Sequence, residues 1–249
     1  MISIKSDREI DTMARAGRIV FETLELMRKI LRPGLSTEDL DREAEAFIRS
    51  HPGATPSFKG LYDFPKTLCT SIDDEIVHGI PSTRRVLRQG SIVSVDVGVC
   101  IGGLHADSAT TIPVGGIEPE VQRLLDVTRR SLEAGIDAAR AGNQVGDIGH
   151  AVQRVAEGAG FGVVRELVGH GIGTRFHEEP QIPNFGVPRR GPQLKAGMTL
   201  AIEPMITVGN PATKTLPDKW TVVTQDGSLS AHFEHTVLVT DGDARILTK

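Results

Sequence analysis

Two cysteines, one tryptophan, one tyrosine and eight phenylalanines are spread over 249 residues. Cys69 and Cys100 are too few for a disulfide framework and form no CxxC pair, so both are expected as reduced thiols in apolar surroundings. Positive charge is not in excess either: 28 basic against 32 acidic side chains give a formal net charge of −4. No basic run interleaved with aromatics compensates, so nothing in the chain draws it to nucleic acid. Apolar runs long enough to cross a bilayer, about eighteen residues, are missing, and MISIKSDREID has no signal-peptide core. The expectation is a cytoplasmic protein. What remains, 39% hydrophobic and 24% charged with no linker-like or low-complexity segment, is an ordinary globular composition able to bury a sizeable core.

Helical periodicity appears in two pairs. Ser6 to Glu9 has the form of a capping box, and Ile10, Met13, Gly17, Val20, Leu24, Met27 and Leu31 follow at helical spacing until Arg32-Pro33-Gly34. STEDLDREAEAFIRSHPG gives a second helix, capped near Ser36 or Thr37 and closed by Pro52-Gly53. The same succession returns in EPEVQRLLDVTRRSLEAGIDAARAG, where Pro119 suits a first turn, and in GDIGHAVQRVAEGAG. A shift of 108 lays Gly34 on Gly142, Asp39 on Asp147 and Ala44 on Val152. β-rich sequence follows each pair, which predicts two related halves packed as one α+β domain with a site between them.

The stretch GHGIGTRFHEEP, 169 to 180, fits neither period. Its glycines allow an anion cradle, but there is no P-loop lysine and no dinucleotide spacing. The other reading is that they free the backbone to aim His170 and His177.

Carboxylates inside apolar strands say at what. In IVSVDVGVCIGGLHADSATTI, a two-residue turn at Ile101-Gly102 would set Asp96 directly opposite Asp107. Such a pair repels unless a cation compensates or one member keeps a proton; the bland alternative is that one is a solvated strand-edge aspartate. MTLAIEPMI and AHFEHTVLV embed Glu203 and Glu234 in apolar runs in the same way. Four carboxylates and one imidazole are too acidic for a structural zinc site and suit two divalent cations sharing bridging carboxylates.

CTSIDDEIVHGIP, VDVGV with HADSATT, GHGIGTRFHEEP, MTLAIEPMI and WTVVTQDGSLSAHFEHT, in this order and spacing, resemble the type I methionine aminopeptidases of bacteria along essentially the whole chain. The resemblance implies the α+β pita-bread fold, with pseudo-symmetric αα-β halves at about 1–115 and 116–249 forming a single catalytic domain around a dinuclear metal site. It implies that Asp107 and Glu234 bridge the metals, that Asp96 holds one of them, and that His170 and Glu203 complete the other. His78 and His177 would be catalytic histidines that bind substrate but no metal, and Glu203 the proton shuttle. Phe58, Phe64, Cys69, Phe176 and Trp220 match the methionine pocket, and Asp73, Glu75 and Ser230 match a monovalent-cation site. Two positions depart: Leu61 stands where many relatives carry tyrosine, and His232 where glutamine is usual.

The activity so implied is removal of the initiator methionine from nascent proteins when the second residue is small, with Co, Mn, Fe or Zn as the divalent pair. Nascent N-terminal peptides are the expected partners, with the ribosome as a further candidate, and a monomer is expected. The chain's own Met1-Ile2 start would be refused, so that Met1 is retained. Short spacing between His177 and Glu203 leaves no room for a type II insertion, and the early first helix leaves none for a zinc-finger extension. Two rivals stand beside this reading. A proline-directed aminopeptidase or prolidase shares the metal set but normally carries an added N-terminal domain, and a non-catalytic nascent-chain or ribosome-binding relative would have lost ligands.

Overall fold

The computed structural model describes residues 2–249; Met1, on which the expectation about the chain's own start turns, lies outside the described residues. Among the described residues four α-helices form two pairs: α1 (Asp7–Ile30) with α2 (Thr37–Arg49), and α3 (Pro119–Ala138) with α4 (Val145–Gly158). The Ser6 main-chain N–H donates to Glu9 Oε2 at 2.8 Å, closing the box that starts α1, and Pro119 occupies the first turn of α3. Helix α2 stops at Arg49, before Pro52-Gly53, because the Ser50 hydroxyl takes the carbonyl of Phe47 and ends the ladder. The apolar stripe of α1 is buried against the long hairpin Ile92–Ile101 and Leu104–Pro113.

The offset of 108 is real in space. Ile30 and Ala138 end the first helices of each pair, and Thr37 and Val145 begin the second. Between them, Gly34 N–H donates to Leu87 O at 2.9 Å and Gly142 N–H to Leu194 O at 3.0 Å, the same connection made twice. Every strand pairing is antiparallel. One sheet of four strands holds the long hairpin, and one of five runs in the order Arg245–Ile246, His235–Leu238, Thr199–Ile202, Gly169–Gly171, Glu178–Ile182. Two three-stranded sheets complete the β-structure of the described residues.

Hydroxyls stitch the four-stranded sheet to strands of the second half along one seam. Thr236 Oγ1 donates to Asp107 O at 2.8 Å and accepts from Asp107 N–H at 2.9 Å, and Thr111 Oγ1 does the same for His232. Glu234 N–H reaches Ala109 O at 3.0 Å, and the Ser108 hydroxyl meets Glu234 O. Each buried backbone group at the junction thus finds a partner from the other half. The seam sets Asp107 beside Glu234.

Candidate active site

The hairpin carries its aspartates in a register different from the one expected. Ile101 pairs with Leu104, so Gly102-Gly103 is the turn, Asp96 faces Ala109, and Asp107 faces Gly98. Both turn residues have positive φ, 58° and 80°, which glycine adopts freely and β-branched Ile101 does not. The slip is by two residues, so both aspartates stay on one face of the sheet. They are diagonal neighbours rather than an opposed pair. The gap beside Asp107 is left by Gly98, where a Cβ would lie 2.9 Å from the Phe176 ring.

Second-half ligand candidates come from interruptions in strands. Strand Thr199–Ile202 breaks at Glu203-Pro204 before Met205–Thr207, and Ser230–His232 breaks at Phe233-Glu234 before His235–Leu238. His170 sits at the irregularity where its strand changes register against Glu178–Ile182. The glycines around it permit close backbone approach: a Cβ at Gly171 would meet Glu179 O at 2.3 Å. That is their role here, and the anion-cradle reading falls away. Glu234 and Asp107 are buried, while Glu203 keeps 15% of its side chain open to the cavity.

Asp107, His170 and Glu234 present ligand atoms within 4.8 Å of one another. Burial, and then the neighbouring carboxylates, push Asp107 and Glu234 far above the ordinary carboxylate range; burial and Asp96 do the same to Glu203. Burial lifts Asp96 to about 7. One oxygen each of Asp96, Asp107 and Glu234 has no hydrogen-bond partner. His170 Nδ1 bonds the Gly171 carbonyl at 2.9 Å, and since a carbonyl only accepts, Nδ1 carries the proton and Nε2 faces the carboxylates with a lone pair. Orphaned carboxylate oxygens around an imidazole fit divalent cations and fit little else.

One cavity of about 150 Å³ is lined by all five of these residues, by His78 and His177, and by Phe58, Phe64, Cys69, Phe176 and Trp220. The carboxylates gather around His170, and the aromatics pack on one another: Phe58 lies edge-on to Phe176 at 5.3 Å and Phe64 to Trp220 at 5.0 Å. Cys69 lies opposite Asp96 in the sheet, and burial pushes its thiol well up. His78 holds a left-handed backbone, φ 60°, at a cost of roughly 1–3 kcal/mol. Its pKa is pulled down to about 4 by burial and then by His177, and that of His170 likewise.

Comparison with known proteins identifies the family. The profile of metallopeptidase family M24 matches residues 11–241. Over 248 residues the chain is 51% identical to the methionine aminopeptidase of Clostridium perfringens, covering all of this chain and 99% of that one. It is 50% identical to methionine aminopeptidase 1 of Bacillus subtilis over the full length of both. The chain belongs to the methionine aminopeptidases of family M24. The crystal structure of the Thermotoga maritima methionine aminopeptidase, 43% identical, matches over the whole of both chains with a TM-score of 0.98. The prolidase of Pyrococcus horikoshii, 20% identical with a TM-score of 0.79 over 63% of its length, shares the fold alone. The pita-bread architecture is therefore that of the family, as the resemblance implied, and its two halves agree with the helix-pair repeat.

In this M24 chain Asp73, Glu75 and Ser230 stand apart from the cavity. Asp73 O accepts from Ser230 N–H at 2.9 Å, the Asp73 carboxylate takes Ser91 Oγ and Ile92 N–H at 3.0 Å each, and Glu75 takes Ile72 N–H and Arg85. Both Asp73 carboxylate oxygens, Glu75 Oε2 and the Ser230 hydroxyl, which donates to Ile206 O at 3.2 Å, are thereby engaged.

Three contacts escape sequence reading, which marks His232 and Leu61 only as departures from the family pattern. Tyr62, with φ 49° and largely exposed, stacks on His177 at 5.8 Å at the cavity mouth, joined by Leu61. The chain's single tyrosine was the available signal. His232 is buried with both ring nitrogens unpartnered, its Nε2 3.8 Å from Glu203 Oε2, while His170 Nε2 lies 3.7 Å from Glu203 Oε1. Glu203 is thus flanked by two imidazoles. The third is Lys5, buried against Glu178 with Nζ 2.8 Å from Oε2.

Proposed function

We propose that this chain removes N-terminal methionine from nascent proteins whose second residue is small, as a cytoplasmic, monomeric enzyme with two divalent ions. The observation that carries the reading is a single cavity lined by both the carboxylate cluster and the aromatics. Asp107 and Glu234 would hold both ions, Asp96 one, and His170 with Glu203 the other. When bound, the ions lower the pKa of a water toward neutrality and polarise the peptide carbonyl.

The side chains do the rest. Phe58, Phe64, Cys69, Phe176 and Trp220 bury the methionine side chain, long, unbranched and apolar, which gains roughly 1.5–3 kcal/mol over an exposed one. The carboxylate cluster retains the free α-amine, so internal peptide bonds are refused. His177 donates a hydrogen bond to the carbonyl oxygen as it gathers charge, and His78 one to the scissile amide. Glu203 carries a proton from the attacking water to the departing amine. A monovalent ion on the carbonyls near Asp73, Glu75 and Ser230 would brace the wall beside His78. Nascent chains as substrate bring the protein to the ribosome.

A series of Met-Xaa-Ser peptides tests this. Methionine should be released from Met-Ala-Ser and not from Met-Ile-Ser, and release should stop on chelation. Faster release of residues that precede proline, methionine or not, would transfer the chain to the proline-directed reading.

A further inference from the structure

The loop that carries Phe176 and His177 is clamped from outside by the first residues of the chain. Lys5 N–H donates to Gly197 O at 2.8 Å, and the Lys5 stem crosses Gly173 so closely that a Cβ there would lie 2.3 Å from Cε. Its Nζ donates to Glu178 Oε2 at 2.8 Å and touches Ser3 Oγ, which itself donates to the same oxygen at 2.8 Å. Only 4% and 7% of the two charged side chains are open to solvent. The other oxygen, Glu178 Oε1, takes the main-chain N–H of Arg175 at 3.1 Å and the hydroxyl of Thr174 at 3.3 Å. At its start the loop is tied to the first half by His105 N–H donating to Gly173 O at 2.9 Å. One carboxylate therefore holds the loop's backbone with one oxygen and the N-terminal strap with the other.

We propose that Lys5 and Glu178 are positioning residues, fixing the arch 173–178 so that His177 meets the reacting carbonyl and Phe176 closes the methionine pocket. The inference rests on the reading of His177 given above. A buried, fully bonded ion pair specifies one geometry and breaks sharply when one partner is removed. Displacement of a contact group by about 1 Å is enough to cost up to ~100-fold in rate.

Lys5→Met keeps the stem and removes the charge. We expect kcat on Met-Ala-Ser to fall at least about 10-fold with metal content as in the parent, and Lys5→Arg to recover most of the loss. In a His177→Ala background the same change should lower kcat no further, leaving only a KM effect through Phe176. Glu178→Gln, which keeps an acceptor for Arg175, should reproduce the effect from the other side. Hydrogen exchange of the metal-free protein supplies a readout independent of activity: exchange across 173–178 should quicken by about 10-fold or more in Lys5→Met while 199–202 keeps its protection. Unchanged kcat in Lys5→Met, kcat losses that multiply in the double variant, or unchanged exchange across 173–178 would each overturn the proposal. If the parent releases no methionine at all, the functional reading fails instead, and the exchange comparison still decides the positioning claim.

Discussion

The two halves share a helix pair and differ in how they deliver chemistry. The first half offers Asp96 and Asp107 from two regular ten-residue strands, with spacing fixed by the ladder and turned inward as a unit. The second half offers His170, Glu203 and Glu234 from three places where strands are bulged or broken. A regular hairpin can bring only side chains of one face together, and on these apolar strands that means two short carboxylates. Interrupted strands re-aim single residues, and so the second half supplies the longer glutamates and the imidazole. Duplicated scaffolding with unequal edges gives a centre that neither half holds alone.

The largest expected effect comes from the first half. Asp107→Asn keeps the shape but removes charge from the point where the halves meet, so bound metal and methionine release should fall together, with activity down at least ~100-fold. Near-normal turnover of the stripped and reconstituted variant would break the idea of a shared centre.

Within the second half, His170→Ala and His177→Ala separate a ligand from a substrate contact. The first should lose metal; the second should keep its metal and lose kcat by about 10²-fold with KM little changed. Equal metal loss, read by elemental analysis, would erase the distinction drawn between the buried ring and the one at the mouth.

Acidity sharpens the comparison in the metal-free protein. Asp96 has a folded pKa of about 7 against 3.8, so its contribution to stability is full below about 3.8 and is lost as pH rises through about 7. His170 runs the other way: with a folded pKa of about 4 against 6.5, its contribution is present above 6.5 and is lost as pH falls through about 4. Melting temperatures across pH 4 to 8 should therefore show Asp96→Asn relieving the loss on the alkaline side and His170→Gln relieving it on the acid side. Addition of divalent metal at neutral pH should release protons, measurable by calorimetry in buffers of different ionisation heat. Metal uptake without proton release would contradict the crowded-carboxylate picture.

The smallest effect lies in the scaffold. Ser36 Oγ accepts from Asp39 N–H at 3.2 Å and donates to Asp39 Oδ2 at 2.6 Å, whereas at the matching position Gln144 meets Asp147 through its main chain, its N–H donating to Oδ2 at 2.7 Å and its carbonyl accepting the Asp147 N–H at 2.9 Å. Ser36→Ala should cost about 1 kcal/mol in a denaturant melt and Gln144→Ala less than half of that. Equal costs would mean that the two helix pairs are capped alike after all.

Much of this was legible in advance, for identifiable reasons. Helix starts at Ser6 and Pro119 follow from local capping chemistry, and the repeat at 108 from two amphipathic stripes of equal spacing. Asp96, Asp107, Glu203 and Glu234 stood out because carboxylates in apolar runs demand partners. The hairpin register did not follow, since three consecutive candidates, Ile101, Gly102 and Gly103, allow more than one turn and only φ decides among them. The short strands at 169–171 and 178–182 have no period to detect, being set by backbone approach to Thr199–Ile202 and to each other. Lys5 with Glu178 and Tyr62 with His177 are contacts between segments distant in sequence, and no local pattern announces them.

The most direct test of the account is a metal titration of the stripped protein, followed at each step by bound divalent ion per chain and by methionine released from Met-Ala-Ser. The account predicts that activity is absent without metal, rises with occupancy of a centre holding two ions, and disappears together with both in Asp107→Asn and Glu234→Gln. Full methionine release from metal-free protein, or a bridging variant that binds both ions normally, would contradict it.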